Sequence, residues 1–372
     1  MNLMAVGLIL IDPPVPHALS LPGAVSFAYC SDNSVARRCR GHTSDEERRL
    51  SLENYADKFT RLKVNTTKDG DGRVSASPHK ICMLLAVLDL ARAGALEENR
   101  IEYAPPLLER FRRFFDAVRA PGDHPYAYLP FFHLTGDLKG GEGSFWHLQP
   151  VAGREAVLAA LKTVRSHGDV TNNIAYAYLD PELHALLQDP ANVDALTDAL
   201  GRHWFGRGLE ELDTVVKRSA EVSRYERRLR IGLPSATAEL APPEYIRDPA
   251  FRRIVTQAYD YRCAATGVRI LLPSGEAMVE AAHIHPFAEA GDDDPRNGIA
   301  LSPDMHWAMD RNLIAPGPDY RWRVSSRLDP RIPDLRALCE LEGRELLLPT
   351  EPRLYPKKEA LEWRIAQLRD EA

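Results

Sequence analysis

The stretch Tyr259–Pro316, YDYRCAATGVRILLPSGEAMVEAAHIHPFAEAGDDDPRNGIALSPDMHWAMDRNLIAP, decides the fold of its part of the chain. The segment VEAAH predicts a strand ending at His283, the acidic turn leads to Asn297, and LSPDMH brings His306 into a helix. Asp310 follows His306 at i+4, so both side chains share one helical face. That pair can take two positions on a divalent metal. His283, arriving from the strand side, can deprotonate a water aimed at a phosphodiester. Asn297 is the residue type that holds the base imidazole, or the loop carrying it, in one orientation.

Around this stretch lies a chain of 372 residues, long enough for two domains with ordinary cores. Its 44% hydrophobic and 27% charged content is that of a soluble globular protein. The net charge of −6 argues against unspecific coating of nucleic acid, although a local basic face suffices for an enzyme acting on DNA. Five scattered cysteines, with no C-x-x-C pair, imply neither a zinc ribbon nor a disulfide framework and point to a reducing cytoplasm. The opening MNLMAVGLILIDPPVPHAL lacks a basic start and is interrupted by Asp12 and prolines, so it predicts neither a signal peptide nor a membrane span.

The expected organisation is α+β, with a mixed helical and stranded first domain and a ββα second domain. Residues 1–43 read as a flexible leader, 44–208 as the first domain, 209–245 as a helical connector and linker, and 246–372 as the second domain. Ser44 with Glu47 forms a capping-box pattern that predicts a helix start. A mostly buried helix follows in ICMLLAVLDLARAG, closed by Gly94. LLERFRRFF continues with another, its first turn marked by Pro105 and Pro106. HPYAYLPFFHLTGDLKGGEGSFWHLQP reads as two aromatic strands joined by a glycine-rich hairpin. GREAVLAALKTVRSH, PELHALLQD and NVDALTDALGRHWF predict further helices. IGLPSATAELAPPEY is the linker signal.

The ordered set AHIHP, acidic turn, Arg-Asn-Gly, LSPDMH and Asp310 resembles the HNH family of ββα-metal nucleases over about Phe251–Val324. The resemblance implies that His283 is the general base, Asn297 the middle asparagine and His306 the metal-binding histidine, with Asp310 a second helix ligand. It also implies a divalent cation, among which magnesium, manganese, nickel and zinc all suit such ligands. Two departures stand out. Where many members carry a ligand directly before the base, this chain has Ala282, and alternation places Glu280 on the face opposite His283. Where many carry two cysteine pairs, it has Cys263 and Thr266, so a packed core must replace zinc and Cys263 reads as a small buried hydrophobe. Asp292, Asp293 and Asp294 read as a solvated turn.

The first domain resembles the amino-terminal domain of McrA-like, modification-dependent (type IV) restriction endonucleases, through SPHKICMLLAVLDLARAG, LLERFRRFF and LPFFHL…FWHLQP. Ile81 departs from the proline more usual after His-Lys. The resemblance implies a sulfur-recognising domain for phosphorothioate DNA. Arg73, His79 and Lys80 would supply cations for phosphates, and Tyr128, Pro130 and His133 the surface that receives a soft, weakly hydrated sulfur. Phe131, Phe132 and Trp146 alternate like core strand residues. Arg227–Arg230 and Arg252–Arg253 read equally as DNA-backbone contacts or as solvated helix faces. The expected partner is double-stranded, modified DNA, with a homodimer cutting both strands and no membrane association. Two alternatives remain open on the sequence: recognition of methylated or hydroxymethylated cytosine, or a DNA-binding protein whose nuclease domain has decayed.

Overall fold

A helix that is apolar on every face has to be wrapped by others, and α2 (His79–Arg92) is such a helix: all residues from Ile81 to Arg92 are buried. The computed structural model describes residues 35–68, 74–119, 123–204, 210–232 and 241–368. Ahead of α2 lie α1 (Val35–Thr60) and the antiparallel pair β1 (Thr66–Lys68) and β2 (Val74–Ala76). After it come α3 (Pro105–Asp116), α4 (Tyr128–His133), β3 (Trp146–Pro150), α5 (Glu155–Ala160) and α6 (His167–Asn173). β4 (Ile174–Leu179), α7 (Pro181–Leu186) and α8 (Pro190–Trp204) complete this part. α3, α4 and α8 pack on α2, and β3 pairs antiparallel with β4 in the register Trp146↔Leu179. Their side chains form one apolar core from Tyr55 to Leu212.

α9 (Glu210–Arg230) leads to α10 (Glu244–Ala258), and the two pack through Val222, Tyr225, Leu229, Ile246, Ala250 and Ile254. α10 then backs an antiparallel hairpin, β5 (Glu280–His283) with β6 (Gly298–Leu301), in the register His283↔Gly298. The short α11 (Phe287–Ala290) lies between these strands, and α12 (Pro303–Asp310) follows β6 and packs back on both. β7 (Ile314–Pro316) and β8 (Trp322–Val324) form a further pair, and α13 (Arg336–Cys339) and α14 (Lys358–Ala366) close the chain. A second apolar core, Phe251 to Leu361, fills this part, with Cys263 fully buried in it and its Sγ accepting from Ser302 Oγ at 3.4 Å. The architecture is α+β.

Several elements differ from the sequence expectation. α1 begins at Val35, so Ser44 lies inside a helix and is not its cap; nothing between Val35 and Ser44 stops a helix except Gly41, a cost of only about 1 kcal/mol. YLPFFH is helical, not a strand. Pro130 falls in the first turn of α4, where its missing N–H removes no helical bond. Phe131 and Phe132 are both buried from that helix, and only Trp146–Pro150 is a strand. The helix expected over GREAVLAALKTVRSH stops at Ala160, because Ser166 caps a new one, accepting from the Asp169 amide.

α2, α3, α9 and α10 meet at a buried ion cluster. Arg110 of α3 donates to Asp89 of α2 (3.0 Å) and to Glu226 of α9 (2.6 Å). Arg253 of α10 donates to the same Glu226 oxygen (3.3 Å), and Arg230 reaches its other oxygen (2.8 Å). Burial opposes the charge on Arg110, but Glu226 and Asp89 outweigh it and hold its pKa above the ordinary value. Arg230 and Arg253 are thereby engaged within the protein, and Arg252 donates to Glu109 (2.9 Å). Removing one partner of such a cluster strands buried charge. Glu226→Ala should therefore lower stability by about 3–5 kcal/mol, read from the midpoint of urea unfolding. Lys217→Ala, in an exposed pair, should leave that midpoint in place.

Candidate active site

The β5–β6 hairpin sets His283 at the end of β5, opposite Gly298. A Cβ on Gly298 would overlap Val255 and come within 2.7 Å of Phe251 Cζ. That glycine lets α10 lie flat on the hairpin, and Phe251 stacks on the His283 ring at 3.9 Å with an interplanar angle of 3°.

His283 Nε2 lies 3.0 Å from Asp293 Oδ1. Asp293 is fully buried, and it accepts from Tyr225 Oη (2.9 Å, α9) and Arg247 (3.1–3.2 Å, α10). Burial alone would raise the pKa of this carboxyl. The hydrogen bonds from His283 and Tyr225 and the Arg247 charge overcome that and hold it below the usual carboxylate range. Burial and the Asp293 charge push the Tyr225 phenol up, so it stays a donor. A carboxylate can only accept, so Nε2 of His283 carries a proton and Nδ1 is left with the lone pair of the neutral ring. Asp293 is not part of a solvated turn. Its run of three aspartates hid it, because nothing local distinguishes it from its neighbours: Asp294 caps the following turn and Asp292 pairs with Lys357.

Asn297 is also fully buried and holds the loop, not the imidazole. Its Oδ1 accepts from the His285 amide (2.9 Å), and its Nδ2 donates to the carbonyls of His285 (2.9 Å) and Asp292 (3.0 Å). The His285 ring stacks on Trp363 of α14 at 4.0 Å. From the same helix, buried Arg364 donates to the carbonyls of Ile284 (2.6 Å) and His283 (3.3 Å) and to Asn312 Oδ1 (3.2 Å). It ties the end of β5 to the end of α12, a role with no local sequence signal.

On α12, His306 Nε2 lies 3.5 Å from Asp310 Oδ2, and Nδ1 lies 2.8 Å from Glu280 Oε2. Alternation does set Glu280 opposite His283, as expected, but α12 packs over that other face, which Ala282 shares. That packing, and not the alternation along β5, brings Glu280 to Nδ1 of His306. With Glu280 accepting from Nδ1–H, the Nε2 lone pair faces Asp310, the arrangement that outer carboxylates impose on metal-binding histidines. Nε2 and Oδ2 are spaced as two ligands of one cation are, roughly 3 Å. Among the described residues no group of three or more His, Cys, Asp and Glu side chains converges on one point; a cation held by His306 and Asp310 would take the rest of its shell from water and substrate oxygens. Asp310 and Glu280 are about half exposed, which leaves that access.

In the first part of the chain, a cavity of ≈ 500 Å³ is lined by Lys63, Ser77, His79, Lys80, Pro130 and His133, among others. It gathers four of the residues singled out from sequence. Arg73 lies outside the described residues. Tyr128 does not line the cavity; it is buried and stacks on Tyr126 at 5.3 Å. His79 is held on both nitrogens, by Ser77 Oγ (2.8 Å) and the His124 carbonyl (3.0 Å), which makes it a wall and not a free cation. Burial and the neighbouring Lys63 lower the Lys80 pKa, and burial with Lys80 lowers that of His133. Lys63 and Lys80 repel each other, so an anion between them would relieve both.

The hairpin–helix unit β5–β6–α12 is a ββα arrangement. Residues 263–315 match the family model for HNH endonuclease, and the chain thus carries an HNH endonuclease domain there. A solved structure described as "Modification dependent TagI restriction endonuclease" is similar at 22% identity over 33% of this chain, with a TM-score of 0.27. The match spans 39% of that protein's length. No curated protein matches. Among the described residues no helix is long and apolar enough to cross a membrane.

Gly298→Ala should drive Phe251 and Val255 away from the hairpin. Overpacking of this kind costs about 1–3 kcal/mol, and we expect a lower melting temperature by circular dichroism with the secondary structure retained.

Proposed function

We propose that the protein is a divalent-metal-dependent endodeoxyribonuclease of the modification-dependent restriction kind, cutting double-stranded DNA near phosphorothioate marks. The observation that carries this reading is the HNH segment, which sets His283 at the end of one strand and His306 with Asp310 on the following helix. His283 takes the proton of the attacking water through Nδ1. Asn297 keeps the His285 loop, and with it the end of β5, in one conformation. His306 Nε2 and Asp310 hold the cation, with Glu280 fixing the His306 tautomer. When bound, a divalent ion there supplies positive charge for the scissile phosphate and its leaving oxygen. Several metals suit a mixed imidazole and carboxylate set, magnesium and manganese among them.

The cavity beside Lys63 and Lys80 supports the choice of mark. A sulfur in place of a non-bridging phosphate oxygen is larger and more weakly hydrated, and Leu129 and Pro130 offer it apolar surface. Lys63 and Lys80 offer the adjoining phosphates positive charge. An HNH domain acting on two strands suits a homodimer, and the scattered cysteines suit a reducing cytoplasm.

The decisive test compares phosphorothioate, cytosine-methylated and unmodified duplexes with manganese or magnesium, before and after chelation with EDTA. We expect cutting of the sulfur-marked duplex alone, abolished by EDTA and by His283→Ala. Equal cutting of all three would remove the mark-reading role and leave the nuclease; binding without cutting under any metal would remove the nuclease. Lys80→Ala should weaken binding to the marked duplex and lower the slope of log K against log salt by about one.

A further inference from the structure

We infer that Asp293 is the positioning residue for His283, and that Tyr225, from the connector helix outside the matched nuclease segment, holds Asp293 in place. The inference rests on His283 as the general base. Residues 263–315 contain the histidine and the aspartate, but the groups that fix them come from elsewhere. Tyr225 lies on α9, and Arg247 and Phe251 on α10.

The geometry is that of a base with a carboxylate at its back. Asp293 Oδ1 accepts from His283 Nε2 at 3.0 Å, and Oδ2 accepts from Tyr225 Oη at 2.9 Å. Arg247 spans both oxygens at 3.2 and 3.1 Å. Phe251 lies flat against the ring and restricts its tilt, and the Asp293 carboxylate, which can only accept, favours the proton on Nε2. Asp293 also stabilises the imidazolium that forms when Nδ1 takes the water proton, without itself becoming protonated. This arrangement makes the nuclease segment dependent on α9 for its base. Tyr225 is followed directly by Glu226, the centre of the ion cluster that joins α9 to α2 and α3 through Arg110. The groove-lining part of the chain and the base are therefore held by adjacent residues of one helix.

An amide at position 293 separates positioning from packing. Tyr225 and Arg247 both donate, so they would take the amide oxygen and turn its NH₂ toward His283 Nε2. The ring proton would then move to Nδ1, and the lone pair would face away from the water. In hydrolases whose base histidine is oriented by a buried aspartate, that exchange lowers kcat on the order of 10⁴-fold. For the full chain on its preferred duplex, Asp293→Asn should lower kcat on the order of 10²–10⁴-fold, with KM and metal affinity close to native. ¹⁵N spectra of the ring nitrogens, with His283→Ala for assignment, should show the change from the Nε2–H to the Nδ1–H form. Tyr225→Phe keeps the ring and removes one hydrogen bond from a buried carboxylate, and should lower kcat roughly tenfold with the fold retained and only a modestly lower melting temperature; it serves also where Asp293→Asn fails to fold. Native-like kcat in Tyr225→Phe, or an unchanged tautomer and cutting within about threefold of native in Asp293→Asn, would overturn the inference. Should His283→Ala still cut, the base itself is misassigned, a separate result that these variants would not produce.

Discussion

A carboxylate removed from water must be paired, and two adjacent residues of α9 supply the pairing on which this chain depends. Glu226 sits fully buried between Arg110 and Arg253, and Tyr225 reaches the equally buried Asp293. The first contact joins the helical part built on α2 to the hairpin part built on α10. The second reaches the imidazole at the end of β5. Taking these donors away would leave buried carboxylates short of partners, which is strongly destabilising. The two contacts therefore fix the rotation of α9 about its axis, since both partners must be met by one turn of helix.

Around that axis the site is assembled from pieces that each do one physical task. Gly298 allows close approach, Phe251 fills the space so made, and the stacked ring of His283 is the result. Asn297 and Arg364 satisfy the backbone carbonyls of a loop too irregular for sheet pairing. Glu280 and Asp310 flank the two nitrogens of His306 from a strand and a helix. The exposed carboxylates leave the access that the proposed cation and its water need, and the buried one adds stiffness beside His283, the proposed base.

How much of this could be read beforehand depends on whether a signal was local. His306 and Asp310 are one helical turn apart, and Asn297 precedes a glycine in a turn, local spacings that carried the resemblance to HNH nucleases through which their roles were expected. Lys80, Pro130 and His133 were expected through the resemblance of the first domain to sulfur-recognising ones, and they do line one cavity, although Pro130 and His133 do so from a helix read as a strand. There alternation misled, because Phe131 and Phe132 are both buried whichever period is assumed. Glu280 was discounted by correct alternation applied to the wrong reference face. Asp293 was taken for a solvated aspartate because its three donors, Tyr225, Arg247 and His283, lie up to 68 residues away in sequence.

The sequence by itself determined the α+β class, the ββα segment, the chemical types available at His283, His306 and Asp310, and the apolar helix that becomes the centre of the first core. These follow from periodicity and from spacings of a few residues, which backbone geometry converts directly into shared faces. Only the tertiary structure decided which aspartate of three is buried, which face of β5 the second histidine uses, and which distant helix reaches His283 through Asp293. Such choices depend on which groups meet across packed elements, and the free energy of pairing or stranding a buried charge is known only once those neighbours are in place.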